Sequence, residues 1–491
     1  MSQRSLVAWC LLACAGMASL AFFGASARGD DDKKTTALAG RLWAMTDLVL
    51  EQHVDPPARQ AMLLVALKAL YPAKAEGPPL NLSARVSGVT SREQFAALLE
   101  ELQKTIGRAA LDSAAEDAAL NALSVSVPGQ ARRISPEELR IQEQIAGNRY
   151  VGTGIQIRLH PEEKLAQIVL AFPRGPARRG GAKAGDLIVK VDDDDMAGLP
   201  LNKVVERLRG EEGTPVTMWV RQPGASELRP IKMIRSVVPF DSVHGFKRTG
   251  EESWQYRVDP ELPIAYLRVS AFRSSTVHEL RKLEGKLQAE GCKALVLDLR
   301  NNGGGEISHV AQVADGLLDG GLMWRVRDAK GRVQEQRADR DCLFRDWPMV
   351  VLAGGGEYEL PGGGHLELVS NGLLASALQD NGRAEVVGKT ARYEPYLTSR
   401  VPAPNGQGQI VLATGLLERA KPGRPEERGL LRPNHEVSLS AKQREQLARW
   451  NHEQEQPEPP PGALAQPPED PQLAKALELL RAKLAVRDKD Q

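Results

Sequence analysis

At 491 residues the chain exceeds one ordinary domain, and two or three are expected. Its 64 basic and 63 acidic residues leave a formal charge of +1, which argues against nucleic-acid or membrane-surface binding driven by bulk charge. Hydrophobic residues make up 42%, enough for ordinary cores, while aromatics are few at 4%. The first thirty residues read as an export signal, with Arg4 as the positive start, Leu6 to Phe23 as the apolar run and Ala25-Ser26-Ala27 as a small-residue cleavage site. Leu11-Leu12-Ala13-Cys14 offers a second reading, a lipid anchor on Cys14. No later stretch approaches the roughly 20 apolar residues of a membrane span, so no span is expected after cleavage. Cleavage leaves Cys292 and Cys342, which could form one disulfide in an oxidising compartment; the spacing does not decide it.

Residues 28–148 are expected to be helical. Asp55-Pro56-Pro57 opens one helix, followed by Met62, Leu63, Leu64, Leu67 and Leu70. Thr90-x-x-Glu93 reads as a capping box ahead of Phe95, Leu98, Leu99 and Leu102, and Ser135-Pro136-Glu137-Glu138 as a third start. Nothing in this region carries chemistry.

At Tyr150 the period changes from helix to strand. Ile155, Ile157 and Leu159 alternate with polar residues after the turn Gly152-Thr153-Gly154, and Ile168, Leu170 and Phe172 form a second alternating strand. Ala184-Gly185-Asp186-Leu187-Ile188 opens a third strand. Leu201, Val204, Val205 and Leu208 follow at helical spacing, then Val216, Met218 and Val220 as a last strand. This order resembles a PDZ domain of the protease-associated, permuted type over residues 149–238. The resemblance implies a peptide site: exposed N–H groups of Gly152, Thr153, Gly154 and Ile155 receive a terminal carboxylate. The peptide then adds as a strand between Ile155, Ile157 and the helix face of Leu201, Val205 and Leu208.

From 239 to 440 strands and helices alternate as in a βα-layered domain. At its centre Ala294 to Leu299, five apolar residues and Asp298, run straight into Arg300-Asn301-Asn302-Gly303-Gly304-Gly305. An apolar run without alternation reads as a strand buried on both faces. Glycines after such a strand let backbone N–H groups approach a ligand and hold developing negative charge, which marks Gly304 and Gly305 as oxyanion-type donors. Asp298-Leu-Arg-Asn-Asn-Gly-Gly-Gly305 resembles the Asp-Leu-Arg-Asn-Asn-Pro-Gly-Gly motif of the carboxy-terminal processing (tail-specific) peptidases, exported Ser–Lys proteases with a PDZ domain. Ala377-Leu378-Gln379-Asp380-Asn381-Gly382-Arg383-Ala384 to Gly388, and Gly429-Leu-Leu-Arg-Pro433-Asn434, match two further family segments. The resemblance covers about residues 135 to 440 and implies an α/β (α+β) fold: a crotonase/ClpP-like core with an inserted PDZ domain and an N-terminal helical region. It also implies a periplasmic or cell-envelope location.

A Ser–Lys protease needs a serine at a helix start and a lysine kept neutral by burial. Reading back from Ala377, the family's nucleophile falls on Val369, within Leu368-Val369-Ser370-Asn371-Gly372. The lysine's place falls on Tyr393, beside Arg392, which stays charged and cannot act as a base. Gly354-Gly-Gly and Gly362-Gly-Gly enrich the intervening segment, so the nucleophile turn is rewritten, and no serine is expected to face the Gly304–Gly305 turn. A one-residue slip would make Ser370 the nucleophile with Lys389 or His365 as base, and His309 is a further candidate.

Residues 441–491 differ from the family: a helix capped by Ser440, a proline-rich spacer over 457–471, and a short amphipathic helix marked by Leu473, Leu477, Leu480 and Leu484. Three functions follow from this reading. The first is a proteolytically inactive family member that binds protein C-termini as a scaffold or adaptor. The second is an active serine endopeptidase with displaced residues, and the third a core cleft that takes a small apolar ligand. No metal site and no cofactor are expected, since the eight histidines are scattered and no Walker or dinucleotide pattern occurs. A homo-oligomer is compatible with the sequence.

Overall fold

The structure, a computed structural model, describes residues 27–71, 77–106, 113–129, 131–134, 151–222, 224–238, 241–250, 253–354, 358–359, 365–366, 368–404, 408–421, 423–424, 427–456 and 462–487. The export signal up to Ser26, the Ser135-Pro136-Glu137-Glu138 start and most of the Gly362 stretch lie outside these residues. The chain forms two compact units, residues 1–50 with 57–127 and residues 51–56 with 128–491.

The first unit is helical, with helices Arg59–Ala69, Leu82–Ser87, Arg92–Ile106 and Ser113–Val125 beside most of Ala27–Gln52. Leu42, Leu63, Leu67, Phe95, Leu99 and Leu123 are fully buried in it. Two expected helix starts are displaced. The second helix begins at Arg59 with Ala58 as N-cap, so both prolines precede it. The capping pair is Ser91 and Gln94: Gln94 N–H donates to Ser91 Oγ, and Gln94 Oε1 accepts from Thr90 N–H.

Among the described residues the second unit contains three larger sheets that position the site, beside one small four-stranded and two two-stranded sheets. Strands Ile155–Leu159, Ala166–Ala171, Leu187–Val191, Pro215–Arg221 and Arg229–Ile234 form an antiparallel sheet in that order, with Asp194–Asp195 paired to the third. Ile155–Leu159 is one of its two edges, with no further strand paired to it among the described residues. The helix Leu201–Leu208 contributes Val204 and Leu208 to the core of this region.

The central sheet runs Val243–His244, Ile264–Val269, Ala294–Asp298, Met349–Ala353, Ala384–Gly388, His435–Glu436, parallel throughout except the first strand. Its four middle strands are almost wholly buried, in keeping with runs that are apolar but for Arg268, Asp298 and Glu385. Leu267, Leu295, Leu297, Val351 and Val386 face helices Thr276–Ala289, Ile307–Leu317 and Val369–Asp380. The opposite face, with Ile264, Tyr266, Val296, Val350, Leu352 and Val387, packs on Leu473, Ala476 and Leu480 of the C-terminal helix Pro471–Arg487. The tail is therefore a layer of the fold.

A third, antiparallel sheet contains Gln409–Arg419, Gly321–Asp328 and Val333–Ala338, none of the last two evident in the sequence pattern. Arg132–Ile134, inside the stretch expected to be helical, pairs with Gln409–Arg419 as a strand. Backbone pairing to a distant partner overrides local propensity there.

Candidate functional site

The edge strand Ile155–Leu159 leaves its turn with its carbonyls directed inward. Thr153 C=O accepts from Ala177 N–H at 2.8 Å, and Gly154 C=O from Phe172 N–H at 2.9 Å. That second bond makes Ile155 and Ala171 a non-hydrogen-bonded pair, so Ile155 presents its own N–H and C=O to the open edge. Gly154 has φ of +74°, and a Cβ there would lie 2.8 Å from the Gly175 Cα, so only glycine fits. Ile155, Leu201 and Val205 are half-buried and line the edge-strand and helix surfaces. Ile157 and Leu208, expected beside them, are 7% and 4% exposed and belong to the core beneath.

The central strand Ala294–Asp298 ends in the glycine turn as the sequence implies, but the turn closes on itself. Gly303 N–H donates to Ser270 C=O at 2.8 Å, and Gly304 N–H to Asn302 Oδ1 at 2.7 Å. Asn302 is buried and anchored by its Nδ2–H on Val269 C=O. Gly304 is thus not an available oxyanion donor in this arrangement: its own chain satisfies it. Among the described residues no acceptor takes the Gly305 N–H. Gly305 is obligatory, since a Cβ there would lie 2.2 Å from the Phe272 carbonyl oxygen.

Contrary to expectation, a serine does face this turn. Ser370 lies in the first turn of the helix Val369–Asp380, buried, and a Cβ on Gly304 would lie 3.4 Å from Ser370 Oγ and 3.3 Å from Leu368 Cδ1. Val369, the register position of the nucleophile, packs instead against the apolar core. No hydrogen bond to a described residue engages Ser370 Oγ. Tyr393, in the lysine's register position, is buried with its ring under the same helix: a Cβ on Gly372 would lie 2.2 Å from Tyr393 Cδ1. Burial raises the Tyr393 hydroxyl pKa above its ordinary value. Lys389 is half-buried at the end of the neighbouring strand, its N–H on Gly354 C=O at 3.3 Å. His365 belongs to a two-residue strand and its side chain is outside the described residues; His309 is half-buried on the helix Ile307–Leu317.

The charged residues of the motif have a different use. Asp298 accepts from the Tyr266 hydroxyl at 2.7 Å, from Arg300 N–H at 2.9 Å and from the Arg300 guanidinium at 2.6 Å. The guanidinium also donates to both Asp470 carboxylate oxygens, at 3.0 and 2.7 Å, and to Gln472 Oε1 at 3.0 Å. Burial works against the Arg300 charge, but Asp298 and Asp470 outweigh it and hold its pKa above the ordinary value. Burial and Asp298 raise the Tyr266 hydroxyl likewise. Asp470 caps the C-terminal helix, accepting from Gln472 and Leu473 N–H. This cluster was missed by reading the tail apart from the core; Asp470-Pro471, an N-cap with proline at N1, is the signal that could have found the helix start.

On the far side of Ser270, His244 Nε2 lies 3.0 Å from Ser270 Oγ while its buried Nδ1 has no partner. Burial first, then Arg268, Arg248 and Arg273, push its pKa well below the usual histidine range. Cys292 and Cys342 are free thiols. Among the described residues no group of three His, Cys, Asp or Glu side chains could hold a metal ion, and no helix is long and apolar enough to cross a membrane.

Residues 263–430 match the peptidase family S41 and residues 168–222 match the PDZ domain. A carboxyl-terminal-processing protease of Picosynechococcus sp. is 28% identical over 282 residues, 57% of this chain and 63% of that protein. A carboxy-terminal-processing protease of Bartonella bacilliformis is 26% identical over 306 residues, 61% and 64% of the two chains. The chain thus matches a little under two thirds of the length of these relatives. A solved photosystem II D1 C-terminal processing protease aligns with a TM-score of 0.40 at 22% identity, over 82% of this chain and 92% of that one. Over these segments, a PDZ region and an α/β core, the chain is similar to the carboxy-terminal processing peptidases.

Proposed function

We propose that this chain binds the C-terminal ends of proteins at the edge strand Ile155–Leu159, as a scaffold or adaptor of the cell envelope, and that its core does not turn substrate over. The observation that carries the binding role is the outward N–H and C=O of Ile155 on a sheet edge, flanked by half-buried Leu201 and Val205. A peptide gains main-chain hydrogen bonds there and a pocket for its apolar last side chain. An inactive core is supported by Tyr393 filling the lysine's position and by the Gly304 N–H being taken by Asn302. The test is titration with a labelled peptide carrying a free, apolar C-terminus. Saturable binding lost on amidation is expected; equal binding of the amidated peptide would overturn the role.

One observation favours a second reading, an active hydrolase. Ser370 Oγ lies against Gly304, beside the unengaged Gly305 N–H. Treatment with a fluorophosphonate separates the two: no labelling is expected, and stoichiometric labelling at Ser370 would establish the hydrolase instead.

A further inference from the structure

We infer that the C-terminal helix Pro471–Arg487 is an intramolecular strap that sets the shape of the glycine turn, with Asp470 as the positioning residue through which it acts. All five N–H groups of Arg300 are engaged, by Asp298, Asp470 and Gln472, and two of these three partners belong to the tail. Gln472 adds a second tie, its Nε2–H donating to Val437 C=O at 2.7 Å. The side chains are sealed from water: Asp298 is 0% exposed and Arg300 7%. A buried guanidinium that loses a carboxylate partner is left under-compensated, so the tail and the motif hold one another in place.

The strap reaches the turn through few bonds. Asp298 accepts the Arg300 backbone N–H, which fixes the chain where it leaves the strand. The next residue, Asn301, has φ of +56°, a left-handed conformation uncommon outside glycine, though asparagine adopts it more readily than most residues. Asn302 follows, whose carboxamide clamps Gly304 N–H to Val269 C=O. A backbone held in the left-handed region persists only when its surroundings over-determine it. Here the Arg300 anchor on one side and the Asn302 anchor on the other do so. Beneath, Leu473, Ala476 and Leu480 cover Val296, Val350 and Leu352, so undocking the helix also uncovers the strands that carry the turn. This role is independent of whether Ser370 reacts.

The experiment is hydrogen exchange on the full chain with Asp470→Asn, which keeps a capping oxygen but removes the charge, and with Asp470→Ala. In Asp470→Ala, amides of Leu473 to Leu480 should exchange faster by on the order of a hundredfold, and those of Gly303 and Gly304 by about tenfold. Asp470→Asn should give a smaller shift at both places. Arg481→Ala, which removes only an exposed pair with Asp259, should change neither. Faster exchange in the helix with Gly303 and Gly304 unchanged would reduce the tail to a cover and overturn the inference, as would no change at either place. If Asp470→Ala does not fold, Asp470→Asn decides by the same two sets of amides.

Discussion

Two stretches of this molecule begin alike, a strand joined to a glycine turn, and end differently. At Gly152-Thr153-Gly154 the carbonyls are turned inward onto Ala177 and Phe172, and Ile155 offers its N–H outward. At Gly303-Gly304-Gly305 two of the three N–H groups are turned inward onto Ser270 and Asn302. A glycine turn is a receptor only when its donors are left over after the chain has satisfied itself. The first turn sits at a sheet edge, where the ladder has run out of partners. The second sits between strands and an asparagine side chain that supplies one. The same contrast explains why a family motif can persist in sequence while its charged residues serve the fold.

The largest test of that contrast is Arg300→Ala. Asp298 would keep Tyr266 but lose its cation, and Asp470 would face it unpaired across a buried space. We expect a loss of about 3–5 kcal/mol in denaturant unfolding. A loss below about 1 kcal/mol would mean that water already reaches the cluster and that the turn is looser than its bonds imply.

Next is Gly372→Ala, which probes the space that Tyr393 occupies under the helix Val369–Asp380. The added methyl meets the tyrosine ring, and overpacking should cost about 1–3 kcal/mol. Combined with Tyr393→Leu, much of that cost should be recovered, a coupling read from a double-mutant cycle. Additive losses would show that Tyr393 does not fill the site.

These sites differ in how far the sequence reveals them. The strands Ile264–Val269, Ala294–Asp298 and Met349–Ala353 are legible because burial on both faces demands nearly continuous apolar runs, broken here only by Arg268 and Asp298. The amphipathic helix carrying Leu201 and Val205 is legible by its period. Strand Gly321–Asp328 is not, because buried Trp324 is followed by half-buried Arg325, Val326 and Arg327, a mixed pattern that its partner strands decide. Ser370 shows the limit at the site itself. Counting back from Ala377 puts Val369 at the nucleophile position, yet a helix rotates about 100° per residue, so the side chain that faces Gly304 is set by how the helix enters. The Arg300–Asp470 contact spans 170 residues, and no local pattern reports it.

At the edge strand, Val205→Asp should lower affinity for a free C-terminal peptide by about tenfold or more while leaving unfolding nearly unchanged, since Val205 is half-buried. Titration beside thermal unfolding checks both. Unchanged affinity would move the pocket away from the helix Leu201–Leu208.

The smallest effect is on pH, and it belongs to the closed turn. His244 is buried, ring-edge against Trp254 at 5.1 Å, with Arg268, Arg248 and Arg273 around it and Ser270 on its Nε2. Ser270 Oγ donates to Ser242 C=O at 3.3 Å, which assigns the proton to Nε2 as the donor to Ser270 Oγ. The folded state holds this histidine neutral well below its ordinary value of 6.5, whereas the unfolded chain takes up a proton near 6.5. The unfolded state therefore binds more protons in the window below 6.5, and stability falls as pH drops through it. The contribution is fully present above 6.5, and its loss cannot exceed about 1.4 kcal/mol per pH unit. Between pH 7.5 and 5.5 denaturant unfolding should lose about 1 kcal/mol from this group, and His244→Leu should flatten that part of the profile. A profile of equal slope in the variant would assign the pH dependence elsewhere. Peptide binding at the edge strand should hold over the same range, because a terminal carboxylate stays ionised there; acid would then loosen the self-satisfied turn while sparing the open one.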